Sequence, residues 1–131
     1  MSVHLRPGRW APDVHARLDA LVRHPGVPRP AAVFDWDDTC IVGDVGCTLL
    51  AALDAELGTQ HLAAYDRLCA EQGIRVGYPY CTTALAGHTD ASLRALAQAT
   101  LAAALASQRI VEPPEMRELV DALHHHGWEV W

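Results

Sequence analysis

An α/β chain carrying a large helical insertion is the fold this sequence predicts, and three observations carry the expectation. Residues Ala31 to Phe34 form a four-residue apolar run behind Pro30, too short for a helix, and read as a buried strand. Four amphipathic segments follow, over 45–57, 60–72, 90–107 and 112–127. After the last of them "WEVW", residues 128–131, reads as a second strand. Strand, helices, strand is the order of a parallel α/β unit. The helical stretch between the strands is longer than one crossover needs, so much of it is expected to be an inserted subdomain.

Each element has its own signal. Residues 11–24 place Val14, Leu18, Leu21 and Val22 on one stripe, with Pro12 in the first turn and Pro25-Gly26 as the stop. The "PGVPRP" that follows is a stiff linker. From Asp44 the apolar period becomes helical: Val45, Leu49, Leu53 and Leu57 recur every fourth residue, Asp44 is placed as N-cap, and Gly58 ends the run. The 60–72 helix turns Leu62, Tyr65, Leu68 and Cys69 inward, with Gly73 behind it. Pro79 makes "GIRVGYPYCTTALAGHTD" a break or a short helical turn. The long helix over 90–107, capped by Thr89 or Asp90, predicts a buried stripe of Leu93, Leu96, Ala97, Thr100, Leu101, Ala104 and Leu105. In "EPPEMRELVDALHHHG" the prolines open a helix, Met116, Leu119, Val120 and Leu123 form its stripe, and Gly127 closes it. The domain organisation expected is an N-terminal arm and linker over 1–29, a core built from 30–43 and 108–131, and a helical cap over 44–107.

Composition narrows the function classes. The formal charge of -6 argues against a nucleic-acid partner, which needs a basic face. All ten basic residues are arginine; the chain has no lysine. No apolar run approaches the roughly 18 residues of a membrane span, and the N-terminus has no apolar signal-peptide core, so a cytoplasmic protein is expected. The four cysteines, Cys40, Cys47, Cys69 and Cys81, make no C-x-x-C pair and read as free thiols. The three consecutive histidines His124, His125 and His126 point about 100° apart on a helix. They suit the helix C-terminus better than a shared metal ion.

The chemistry concentrates at the end of the first strand, in "FDWDDT". Ligands of parallel sheets collect outside the carboxyl ends of the strands. Alternation sends Asp35 and Asp37 to one side if the backbone stays extended. Two carboxylates there can hold a hard cation such as Mg2+, which leaves one ionised as a nucleophile and the other free to move a proton. A solvated turn rich in aspartate is the plainer alternative.

"AAVFDWDDTCI" resembles the first motif of the haloacid dehalogenase-like hydrolase superfamily, an apolar strand followed by Asp-x-Asp-x-Thr. "RELVDALHHHGWEVW" is similar to the helix and strand that precede that family's second motif. The resemblance spans about residues 30 to 131 and implies the N-terminal part of a Rossmann-like parallel-sheet core with an inserted helical cap, as in phosphoserine-phosphatase-like members. It further implies that Asp35 is the nucleophile taking the phosphoryl group and a ligand of Mg2+. Asp37 would be the general acid and base, its carbonyl a second metal ligand. Thr39 would hold the loop and orient Asp37. The backbone N–H groups of Trp36 and Asp37 would bond phosphoryl oxygens. Asp44 would contact an amino or other cationic group of a small phosphomonoester substrate, besides capping its helix. Tyr78 and Tyr80 could line a cap pocket or pack in the core, and Arg75, Arg94 and Arg109 could reach a substrate anion or stay solvated.

The family's later motifs, a Ser/Thr, a Lys or Arg and an acidic pair, do not occur here in order. The absence of lysine removes the usual third motif. The expectation is therefore a truncated phosphatase, weakly active or inactive as this chain, with self-association through an incomplete sheet. The alternative is a non-catalytic helical module that binds a metal, a small molecule or a partner chain.

Overall fold

The computed structural model describes residues 4–131. In chain order they form α1 (Pro12–Arg23), β1 (Ala31–Ala32), α2 (Val45–Leu57), α3 (His61–Gln72), α4 (Ile74–Ala84), α5 (Asp90–Ala106), α6 (Pro114–His125) and β2 (Glu129–Val130). The chain divides into two compact units. One holds the described residues up to Val42 together with Val111–Trp131, and the other is Gly43–Ile110.

The expected α/β class, with a Rossmann-like parallel-sheet core, is overturned. Helix accounts for 64% of the structure, and the sheet has two strands. The physical reason lies in how β1 is covered. A parallel strand in a layered α/β core is buried on both faces. Here Ala32 and Phe34 turn inward, Ala31 is exposed and Val33 is 79% exposed. The apolar run alternates like a strand with one covered face, and the other face, carrying Ala31 and Val33, is left exposed.

The first unit is built around that single ladder. β1 and β2 are parallel, with Ala31 opposite Glu129 and Ala32 opposite Val130. The pairing runs beyond the named strands: Glu129 N–H donates to Pro30, Trp131 N–H to Ala32, and Phe34 N–H to the Trp131 carbonyl at 2.8 Å. Leu119, Ala122 and Leu123 of α6, Val22 of α1 and Leu5 form the core, with Trp10, Leu18, Phe34, Trp128 and Val130 packed against it. The Trp128 indole N–H reaches the Val22 carbonyl at 3.0 Å, so its polar edge is satisfied where the ring is partly buried. The N-terminal segment is tied down at its charges: Arg6 pairs with Glu118 at 2.8 Å and Arg9 with Glu115 at 3.3 Å, while the Leu5 N–H donates to Asp19. The segment from Leu5 through α1 thus packs into this unit, while residues 26–29 stay exposed.

The second unit is four helices. Leu50 and Leu53 of α2, Gly77 and Ala84 of α4, Ala104 of α5 and Ile110 are its buried residues. Asp44 is the N-cap of α2, accepting from the Cys47 N–H at 2.6 Å, and Gly58 takes the left-handed C-cap conformation at φ 68. Asp54, near the end of α2, accepts from the backbone N–H groups of His61 and Leu62 and so caps α3 from outside that helix. The Thr59 hydroxyl, these two N–H groups and His61 hold its carboxyl below the usual range.

The stretch expected to be a break or a short helical turn around Pro79 is a full eleven-residue helix, α4. Proline cannot donate to the carbonyl four residues back, but tight packing on α3 compensates. Gly77 lies so close to α3 that a Cβ there would fall 2.2 Å from the Cys69 sulfur. The Tyr80 hydroxyl bonds His61 at 2.9 Å, and Tyr78 stacks on Tyr65. The expected stripe of α5 is also shallower than periodicity suggests: Ala104 is buried, while Leu101 and Leu105 remain exposed. Among the described residues no helix is long and apolar enough to cross a membrane.

Candidate functional site

The carboxylates sit on a wide turn directly after the β1 ladder. The last paired backbone group is the Phe34 N–H, so Asp35 is the first residue past the strand. Asp35 is still extended, at φ -72 and ψ 153. The chain then closes a turn over Trp36–Cys40 through the Ile41 N–H to the Trp36 carbonyl at 3.2 Å. Asp38 is left-handed, at φ 53 and ψ 13, a conformation that aspartate tolerates better than most residues. An extended continuation would have put Asp35 and Asp37 on one side by alternation. The turn replaces that geometry: Asp35 and Asp38 are exposed, and Asp37 is half-buried.

The Thr39 hydroxyl donates to Asp35 Oδ2 at 3.3 Å, so the side chain expected to orient Asp37 steadies the first aspartate. The Cys40 thiol lies beneath the turn. Burial pushes it up, and the Asp35 charge adds to that shift. The Cys40 sulfur is therefore held in its protonated form. Asp44 belongs to the helical unit, where its carboxylate serves as the N-cap of α2. There the Cys47 thiol is pushed up to about 12, first by burial and then by Asp44. Tyr78 and Tyr80 are engaged within the α3–α4 hairpin, and Arg94 pairs with Asp90 one turn back on α5.

One feature of the site was invisible to motif reading. A cavity of about 210 Å³ opens beside the turn, lined by Trp36, Cys40, Ile41, Pro113, Met116 and Val120, with Glu112, Arg117 and Asp121 supplying its polar groups. It joins the turn to the start of α6, two segments far apart in sequence. They are held together by paired hydrogen bonds between Val42 and Val111, at 2.8 and 3.0 Å. The apolar period of α6 marked Met116 and Val120 but carried no sign that they face a cavity.

The donor set bears on the expected Mg2+. Asp35 and Asp37 bring hard carboxylate oxygens, the right chemistry for that ion, which commonly takes one or two protein carboxylates with water and substrate phosphate. Among the described residues, no three His, Cys, Asp or Glu side chains group as a metal site. The two aspartates fit Mg2+ only in company with a phosphate that completes its shell. Compared with known proteins, the chain matches no family model, no curated protein and no solved structure.

Proposed function

We propose that the Asp35–Thr39 turn is a phosphoryl-accepting site, and that the protein is a slow, Mg2+-dependent phosphomonoester hydrolase of the haloacid dehalogenase-like type. The observation that supports this is the placement of Asp35: the ladder pairs the backbone through Phe34 and delivers the next carboxylate, exposed and held by Thr39, beyond the strand's carboxyl end. In this reading Asp35 Oδ attacks phosphorus, forming an acyl phosphate as the bond to the leaving alcohol breaks. Asp37 gives that alcohol its proton and then takes one from the water that cleaves the acyl phosphate. Held by the Asp35 carboxylate and the Asp37 carbonyl, Mg2+ would supply positive charge against the phosphate and leave the Asp37 carboxyl to move the proton.

The rate is low for an electrostatic reason. Phosphoryl transfer depends on positioning and on compensating charge. The chain has no lysine, and among the described residues no arginine or histidine pairs with Asp35. A phosphate dianion thus meets an Asp35 carboxylate that carries no paired arginine or histidine among the described residues.

Incubation with acetyl phosphate and Mg2+, borohydride reduction of the acyl phosphate and peptide mass analysis test the reading. Slow, Mg2+-dependent labelling at residue 35, absent in Asp35→Asn, is the expected result. Labelling elsewhere, or none, would overturn it.

A further inference from the structure

We propose that the cavity between Trp36 and the first turns of α6 binds a small organic cation, an ammonium group carried on an aryl or short alkyl body. Size sets the first limit. At about 210 Å³ the cavity is smaller than the roughly 300–1,000 Å³ of a drug-sized pocket, so its occupant is a fragment with a single ring or a short chain. The walls set the second. Ile41, Pro113, Met116, Val120 and the Trp36 ring offer an apolar lining, which suits a hydrocarbon body and excludes a strongly hydrated ion such as free phosphate.

Charge sets the third limit. Of the polar groups on the lining, the Arg117 guanidinium is committed to Glu112. Asp121, one turn further along α6, enters no ion pair among the described residues. Asp35, next to the lining residue Trp36 in the chain, adds a further exposed carboxylate on the adjoining turn. Trp36 is 57% exposed although it lines the cavity, and its indole face is open to a cation as well as to a ring. An apolar body, an aromatic face and an uncommitted carboxylate together select an ammonium over a carboxylate or a neutral alcohol. The inference does not depend on phosphoryl chemistry at Asp35, and its test contains no phosphate.

Calorimetric titration of the whole chain with 2-phenylethylamine, benzyl alcohol and phenylacetate separates the contributions. The amine is expected to saturate with a Kd on the order of 1 mM, as suits so small a ligand, with the alcohol weaker and the carboxylate weakest. Asp121→Asn should weaken the amine about threefold, the size of an exposed charge pair, and leave the alcohol unchanged. Val120→Phe, which fills the cavity, should abolish binding of both. Equal binding of amine and phenylacetate, or no saturation by the amine, would overturn the proposal, as would amine binding that survives Val120→Phe in a chain whose circular dichroism is unchanged. If Val120→Phe does not fold, Asp121→Asn decides alone: an unchanged amine affinity overturns the assignment, and a selective loss supports it.

Discussion

Asp35 and Asp37 differ in their surroundings, and the difference separates their expected roles. Asp35 is exposed and held by Thr39, whereas Asp37 is half-buried within the turn. If Asp37 moves the proton, Asp37→Asn should slow hydrolysis of alkyl phosphates by about 10²–10⁴-fold. An aryl phosphate, whose leaving group needs no proton, should be affected much less. Comparison of the two substrate classes in the variant checks this; equal losses would assign Asp37 to positioning instead. Asp44 makes a simpler prediction. Its carboxylate satisfies the Cys47 N–H at the start of α2, so Asp44→Ala should cost about 1 kcal/mol of stability, read from urea denaturation. The Asp-x-Asp-x-Thr spacing and the cap at Asp44 were legible in the sequence because both are local patterns. The partner of the Thr39 hydroxyl was not, because it depends on how the turn closes.

At the scale of elements, α4 shows where local rules lose. Pro79 and Gly77 both disfavour a helix, yet Ile74–Ala84 is helical because it packs tightly on α3. Gly77→Ala is therefore a sharp test. On propensity alone it would gain up to about 1 kcal/mol. The clash with Cys69 should instead make it net destabilising, by about 1–3 kcal/mol. Cys69→Ala in the same chain should recover most of that loss, since it removes the sulfur a Cβ would meet. Thermal denaturation of the two single variants and the double variant measures the coupling. The run read as a buried strand is another such case. Its alternation is visible afterwards in Ala32 and Phe34 against Ala31 and Val33, but four apolar residues in a row hide which face is covered.

Across the whole molecule, acidic groups in both units are held below their ordinary titration range. Asp19 is opposed by burial but accepts from the Leu5 N–H, His4 and Arg23, and the balance lowers it from 3.8. Glu118 is lowered from 4.5 chiefly by Arg6, and Glu115 by backbone hydrogen bonding and by Arg9. In the second unit Asp54 is lowered from 3.8, chiefly by Thr59. The unfolded chain binds more protons than the folded one through this window, so stability rises with pH across it. The contribution is complete above about pH 4.5 and is lost as pH falls through the folded-state values. Urea midpoints between neutral pH and about pH 3 should fall accordingly. Glu118→Gln should flatten part of that dependence, and a midpoint insensitive to pH would contradict these pairings.

The sequence by itself determined where the helices α1, α2, α3, α5 and α6 lie, since apolar period, caps and prolines act within a few residues of the chain. It also placed three carboxylates at the end of the first strand. Only the tertiary structure decided that the fold is mainly helical around a single two-stranded ladder, that α4 is a helix despite its proline, and that a cavity joins Trp36 to α6. Those outcomes depend on which faces bury against which, and segments such as 36–41 and 112–121 meet only through long-range pairing, so no local pattern could carry them.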